Sequence, residues 1–555
     1  MRAFLLDRPP YAVTLLLDRW VALIVAIVFS GFFALFLSQH YAGDGVRWLP
    51  MITRSVTPPV DMVRHALFPT LGWSWYRVWH ILGYSGNPIP LLQLMNALAG
   101  GIGVGLYYWI LRHLTGDRAM SLFGGMLLAV SNAYSLHATD MTEVMPSFAA
   151  SMATFVLALW SVRQGSSILA LVSAVMAGLA TALFMTSILN VLPLVIFMMG
   201  MAQGSDGRTF PKVPFTFVIA TSLFTPLLFL LIFRLSHADS VMGVVELIFR
   251  ERQEVANSLM DPGFRLSHIV GTLFGWAGGV LGLQKFYGAR LLLASLNSWE
   301  AWWNLGILAF MILMTGTFVG VLWKGLRGED RVWWPWLGGV LWCLPGAMVA
   351  WCTEPPYPKL WVHPLAGFFF LLTWGLARLR QSSRWEWAPR IWVATFLATV
   401  VGVNLLVNLG PRRFTPLPYL GDARYLAEMI RERDLLVSES FDPVSVYFST
   451  IFNRNDNSFS FLVTGIMLGL DNAALRDRLY RAIDASHRRG GRVYFLGLFD
   501  PLPGGWGQTL GGKKGLDYSM LEPYQRDSKR VFVIRSLGDP GRPVWLWEYR
   551  GGDRQ

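Results

Sequence analysis

Three carboxylates and five basic side chains stand in contexts where they could do chemistry. Asp44 lies between two glycines in SQHYAGDGVRWLP, with Arg47 three residues on, and Asp140 and Glu143 share LHATDMTEVMP with His137. Arg64 and His65 belong to VDMVRHALFP, and Lys359 and His363 to TEPPYPKLWVHP. A carboxylate at a dry surface is drawn toward the basicity a general base needs, so it can accept the proton of a hydroxyl as that oxygen attacks. Asp44 is the expected base, and Asp140 and Glu143 are expected to orient the acceptor. Together the three offer oxygen ligands suited to magnesium or manganese. A phosphate or diphosphate leaves as an anion and needs cations more than a proton. Lys359, His363, Arg47, Arg64 and His65 could grip it as point charges or forks. Plainer readings stand beside these. Asp44 suits a turn, and Asp140 with Glu143 has the spacing of a helix capping box, which would also place both on one helical face. Lys359, near Tyr357 and Trp361, could simply anchor a membrane interface.

These residues need a scaffold, and composition says which kind. A chain of 555 residues that is 54% hydrophobic and only 15% charged is too apolar for an ordinary soluble protein. Its net charge of +12 comes from basic residues scattered between apolar runs, which argues against a nucleic-acid surface. Cys343 and Cys352 lie nine positions apart in one apolar segment, on opposite faces of a helix, so a mutual disulfide is not expected. No cleavage site follows the first apolar run, which therefore reads as an uncleaved span. About twenty apolar residues cross a membrane as a helix. On that ruler about eleven spans are expected: 20–38, 91–111, 120–136, 146–160, 168–183, 188–202, 213–233, 305–323, 332–351, 364–377 and 391–409.

Basic residues near span ends are retained in the cytoplasm. With the N-terminus inside, Arg112, Arg118, Arg163, Arg208, Lys212, Lys324, Arg327, Arg331, Arg378, Arg380, Arg384 and Arg390 all fall on the cytoplasmic side. The loops 40–90, 137–146, 236–304 and 353–363 then lie outside, and every candidate residue lies in or at one of them. Within 236–304, HIVGTLFGWAGGVLGLQ and ARLLLASLNSW are read as short interfacial or re-entrant helices. After residue 409 the composition changes. DARYLAEMIRERD and NAALRDRLYRAIDASHRRGG read as amphipathic helices, and DLLVSES, RVYFLGLFD, RVFVIRSL and PVWLWEYR as strands. The expected architecture is an α-helical polytopic membrane domain, 1–409, followed by a soluble extracytoplasmic α/β domain, 410–555, in a multi-pass protein of the cell inner (plasma) membrane.

An acidic residue just after the first span, acids in the second external loop, GDG, the HALFP turn and TEV opening a helix together resemble the GT-C glycosyltransferase superfamily, and within it bacterial relatives of the protein O-mannosyltransferases. HALFP departs from those relatives in lacking their paired prolines and glycine. The resemblance covers the first 160 or so residues in motif and the rest in layout. It implies inverting, base-assisted transfer of a sugar from a polyprenyl-phosphate carrier to an extracytoplasmic acceptor, protein, lipid or glycan, with membrane lipids around it. Asp44 would then be the first-loop acid, and Asp140 and Glu143 the second-loop acids. The rival readings are a transporter or flippase of lipid-linked glycans and a noncatalytic assembly subunit. A transporter would place ionisable groups near the midplane, whereas none of the eleven expected spans contains Asp, Glu, Lys or Arg.

Overall fold

A computed structural model describes residues 11–40, 65–204, 212–235, 266–282, 299–325, 333–352, 357–381, 387–414, 418–439, 443–452, 457–461, 471–499, 517–539 and 542–550, with scattered positions between 45 and 59. The chain divides into two units, Met1–Ser38 with Met51–Phe414, and Gln39–Pro50 with Thr415–Gln555.

The first unit is helical: α1 (Tyr11–Leu35), α2 (Phe68–Ile81), α3 (Pro88–Thr115), α4 (Arg118–Val130), α5 (Asn132–Ala138), α6 (Val144–Gln164), α7 (Ser167–Leu183), α8 (Val191–Gly204), α9 (Lys212–Leu235), α10 (Leu266–Leu281), α11 (Trp299–Gly325), α12 (Trp333–Cys352), α13 (Val362–Gln381), α14 (Trp387–Val403) and α15 (Gly410–Phe414). Among the described residues nine helices are long and apolar enough to cross a membrane, or ten if α4 and α5 form one bent span. The α7 helix, expected as a span, has 17 residues and reaches about 26 Å, short of a hydrocarbon core of about 30 Å. The stretch expected as interfacial or re-entrant forms α10. Its Phe274, Ala277, Val280 and Leu281 are buried, so that segment packs within the bundle. Most of ARLLLASLNSW lies outside the described residues.

Small residues let the central helices approach closely. In α3, Gly101 and Gly105 face Ala22, Ala26 and Ser30 of α1, and a Cβ on Gly105 would lie 2.6 Å from the Ala22 carbonyl oxygen. Gly103 on the opposite side receives Tyr134 and Phe148. Lipid tails are as apolar as leucine, so close backbone approach and packing, rather than hydrophobic burial alone, hold such helices together. Ion pairs gather at one end of the bundle: Asp18 accepts from Arg112 at 3.1 Å and Arg118 at 2.6 Å, and Asp117 accepts from Arg380 at 2.9 Å. Three connections expected on the same side of the membrane thus meet.

The bent pair needs a cause, since no proline or glycine breaks it. Ser131 is extended (ψ 145°), and α4 and α5 diverge by 65° around it. The carbonyl freed at Val130 is satisfied by Asn404 Nδ2 at 2.7 Å, and the same amide group donates to Val280 O at 2.6 Å. Asn404 opens a π-helical turn, Asn404–Leu409, and Asn408 donates to Leu281 O at 3.1 Å. On α5, Asn132 donates to Gly278 O at 2.9 Å. Asn404 and Asn408 therefore tie the ends of α4 and α10 to the last membrane helix, and Asn132 ties α5 to α10, supplying partners that lipid cannot.

In the second unit follow α16 (Pro418–Met429), β1 (Leu435–Ser438), α17 (Pro443–Thr450), β2 (Ser458–Ser460), α18 (Asn472–Arg488), β3 (Val493–Leu496), α19 (Glu522–Arg526), β4 (Ser528–Asp539) and β5 (Arg542–Tyr549). The sheet order is β2-β1-β3-β5-β4, parallel through β2, β1 and β3 and antiparallel from β3 to β5 and β4. Leu475, Leu479 and Ile483, one face of α18, pack with Leu435, Val437 and Val493. Both helices and all four strands read from the sequence are present, and the sequence reading missed α17, the five-residue α19 and the three-residue β2.

Candidate functional site

The end of the bundle opposite the Asp18 and Asp117 ion pairs gathers residues from well-separated stretches of the chain. Glu143 is the residue before α6, fully buried, with a helical backbone and no capping hydrogen bond from its side chain. Its charge therefore sits at the positive end of the α6 dipole, and its carboxylate serves a partner elsewhere. That partner is Lys359, whose Nζ lies 2.9 Å from Glu143 Oε1. Lys359 rides on the short 3-10 turn Pro358–Trp361. His65 Nε2 lies 3.5 Å from the same carboxylate oxygen. Phe184, just after α7, organises the group: the His65 ring stacks on it at 5.6 Å, and Lys359 Nζ lies 5.7 Å from its centroid and 5.5 Å from that of Tyr357. A buried carboxylate is tolerable only with such compensation.

Asp140 is buried in the turn between α5 and α6. Its Oδ1 accepts from Met141 N at 2.7 Å, and Asn96 of α3 pins the turn by donating to the Asp140 and Thr142 carbonyls, each at 2.7 Å. The capping-box reading is therefore corrected: the N-cap is Glu143, the turn is not helical, and the two acids do not share a helical face. The reason is local, because Asp140 folds back on the very next amide and Asn96 takes the carbonyls a helical turn would use. Arg412 of α15 lies close enough to Asp140 for the two charges to attract. Each second-loop acid thus faces a cation from a later part of the chain.

One helical turn below the Glu143–Lys359 pair runs a layer of polar side chains. Asn190 Nδ2 lies 2.9 Å from His363 Nδ1 and 3.3 Å from Ser151 Oγ. An amide nitrogen only donates, so His363 Nδ1 accepts, and Nε2 carries the hydrogen toward Ser187 Oγ at 3.2 Å. Ser187 meets Ser147 at 2.5 Å, and Ser147 also bonds the Ala180 carbonyl at 2.9 Å. Glu143, Ser147 and Ser151 are spaced by four on one face of α6, so the polar track descends from the ion pair into the bundle.

The structure thus brings together His65, Asp140, Glu143, Lys359 and His363. Asp44, Arg47 and Arg64 lie outside the described residues. Among the described residues no group of three or more His, Cys, Asp or Glu is arranged to hold a metal ion. A cation shared by Asp44, Asp140 and Glu143 would have to compete with Lys359 for Glu143. Sequence reasoning missed Arg412, because residues after 409 were assigned to the soluble domain, although Arg412 and Arg413 follow the last span directly. It also missed Asn96, Ser187 and Asn190, because a search of spans for charge passes over neutral polar groups.

No protein-family model and no curated protein sequence matches the chain. Among solved structures it is similar to ArnT from Cupriavidus metallidurans. For the structure bound to undecaprenyl phosphate the identity is 14%, with 97% of this chain and 98% of that one covered, at a TM-score of 0.49. For ArnT in the apo state the identity is 12%, with the same coverage, at a TM-score of 0.50. At such identity the likeness shows the fold alone, which the chain shares with ArnT in the apo state over nearly its whole length.

Proposed function

We propose that this chain, which shares the fold of ArnT, is a membrane glycosyltransferase that moves a sugar from a polyprenyl-phosphate carrier to an extracytoplasmic acceptor. The observation that carries the reading is the buried carboxylate of Glu143 held by Lys359, beside Asp140 and Arg412, at the end of the bundle that the charge pattern assigns to the outside. Such a site offers a cation where a leaving phosphate gains charge and carboxylates where an acceptor hydroxyl must be oriented.

In this reading Asp44, on the sequence argument, takes the proton of the acceptor hydroxyl as its oxygen attacks the anomeric carbon. The bond from that carbon to the phosphate oxygen breaks with its electron pair on the phosphate, and the sugar inverts. Lys359 meets the new charge, and Asp140, steadied by Arg412 and Asn96, orients the acceptor. His65 and His363 hold the surrounding wall, one on Phe184 and the other through Asn190 and Ser187. Arg47 and Arg64 remain candidates for the carrier phosphate. The N-terminus and the basic end lie in the cytoplasm, and the second unit lies outside the inner membrane.

Lys359→Ala tests the reading in membranes supplied with polyprenyl-phosphate sugars. Transfer by the wild-type protein, lowered about 10²-fold or more in a variant that still inserts and stays monodisperse, is the expected result. Unchanged transfer in the variant would return Lys359 to the role of an interfacial anchor.

A further inference from the structure

Resting on the function proposed above, the geometry points to Glu143 as a positioning residue that works by exchange: it holds Lys359 until a lipid phosphate draws the lysine away. Glu143 thereby sets how much negative charge a headgroup must carry to occupy the site.

The two partners are unequal. Glu143 is completely buried, whereas the Lys359 side chain keeps 11% of its surface exposed. The carboxylate is fixed on the backbone at the start of α6, and the ammonium ends a flexible four-carbon stem. The aromatic faces of Phe184 and Tyr357, both within 6 Å of Nζ, favour a cation along a short track beside the ion pair. When Lys359 leaves, Glu143 is not stranded. His65 Nε2 lies 3.5 Å from the same carboxylate oxygen, and the α6 dipole remains. Moving Lys359 is therefore less costly than breaking an isolated buried pair.

The exchange also places the lysine where differential binding is useful. A leaving phosphate gains one negative charge as the sugar–oxygen bond breaks. A cation shared with Glu143 in the ground state, and surrendered as that charge appears, favours the transition state over the bound donor. A neutral headgroup cannot compete with a carboxylate, so the pair also excludes uncharged isoprenoid alcohols.

The test uses the full-length protein in lipid nanodiscs, with polyprenyl monophosphate and the matching polyprenol as probes. Wild-type protein is expected to bind the phosphate in preference to the alcohol. Glu143→Gln, nearly isosteric but uncharged, is expected to bind the phosphate about tenfold more tightly with no gain for the alcohol. In a Lys359→Gln background the same change is expected to give no gain. A purely structural role for Glu143 predicts weaker binding of both probes. Equal or weaker phosphate binding by a folded Glu143→Gln variant, or an equal gain for the alcohol, would overturn the exchange while leaving the glycosyltransferase reading in place. Should the variant not fold, a density map of the wild-type protein with polyprenyl phosphate bound decides: Lys359 Nζ on the phosphate supports exchange, and an intact pair with Glu143 overturns it. A wild-type protein that does not distinguish phosphate from alcohol would remove both the exchange and the functional reading beneath it.

Discussion

At the scale of single residues, the arrangement separates two acids that the sequence presents as a matched pair. Glu143 is neutralised by Lys359, while Asp140 spends one oxygen on the Met141 amide and faces Arg412. Asp140→Asn keeps that hydrogen bond and the shape but removes the charge. Because Asp140 is not the helix cap, the change is not expected to loosen α6. We predict thermal stability within about 1 kcal/mol of wild type and a loss of transfer of about tenfold or more. Full activity would reduce Asp140 to a turn residue. The types and order of these side chains were legible in the sequence, because charged residues at span ends are conspicuous. Their pairing was not. Lys359 and Glu143 are 216 positions apart, and no local rule of spacing connects two such loops; only packing of the helices between them does.

At the scale of elements, the apolar runs announced most helices, and the basic residues between them anticipated which ends would meet. The break at Ser131 and the π-helical turn at Asn404 were hidden for a common reason. The side-chain amides of Asn404 and Asn408 reach from that turn to the carbonyls of Val130, Val280 and Leu281, contacts between distant stretches that no local pattern announces. Asn404→Leu removes the donor to the carbonyls of Val130 and Val280 and leaves both without that partner in an apolar setting. Interhelical hydrogen bonds in membranes are worth about 0.6–1.7 kcal/mol each. The variant is therefore expected to unfold at lower temperature in detergent, with transfer falling as the turn carrying Asp140 loses its support. An unchanged unfolding temperature and unchanged transfer would show that the α4–α5 break is maintained by other contacts.

For the whole molecule, the sequence reading of a helical membrane domain followed by an α/β domain agrees with the fold. By packing, the first unit runs to Phe414 and includes α15, and Gln39–Pro50 goes with the second. The elements of the second unit were legible because alternating strands and an amphipathic helix carry strong periodic signals. The short β2 carries none. The orientation is open to direct measurement. A cysteine introduced by Ser528→Cys, in a chain whose natural thiols Cys343 and Cys352 lie in α12, is expected to react with a membrane-impermeant reagent in intact spheroplasts. Reaction only after lysis would invert the topology and place the site on the other side of the membrane.

Asp44→Asn asks whether a carboxylate base takes the acceptor proton in the proposed sugar transfer. Asparagine keeps size and hydrogen bonding at that position but cannot accept a proton at neutral pH. General base catalysis is worth about 10²–10⁴ in rate, far more than disturbing an exposed turn costs. With purified protein, polyprenyl-phosphate sugars and a membrane extract as acceptor source, wild-type transfer is predicted, with a loss of that size in an Asp44→Asn variant that remains monodisperse. Transfer at the wild-type rate by the folded variant would contradict the mechanism, and the absence of transfer by wild type from every sugar carrier would contradict the function.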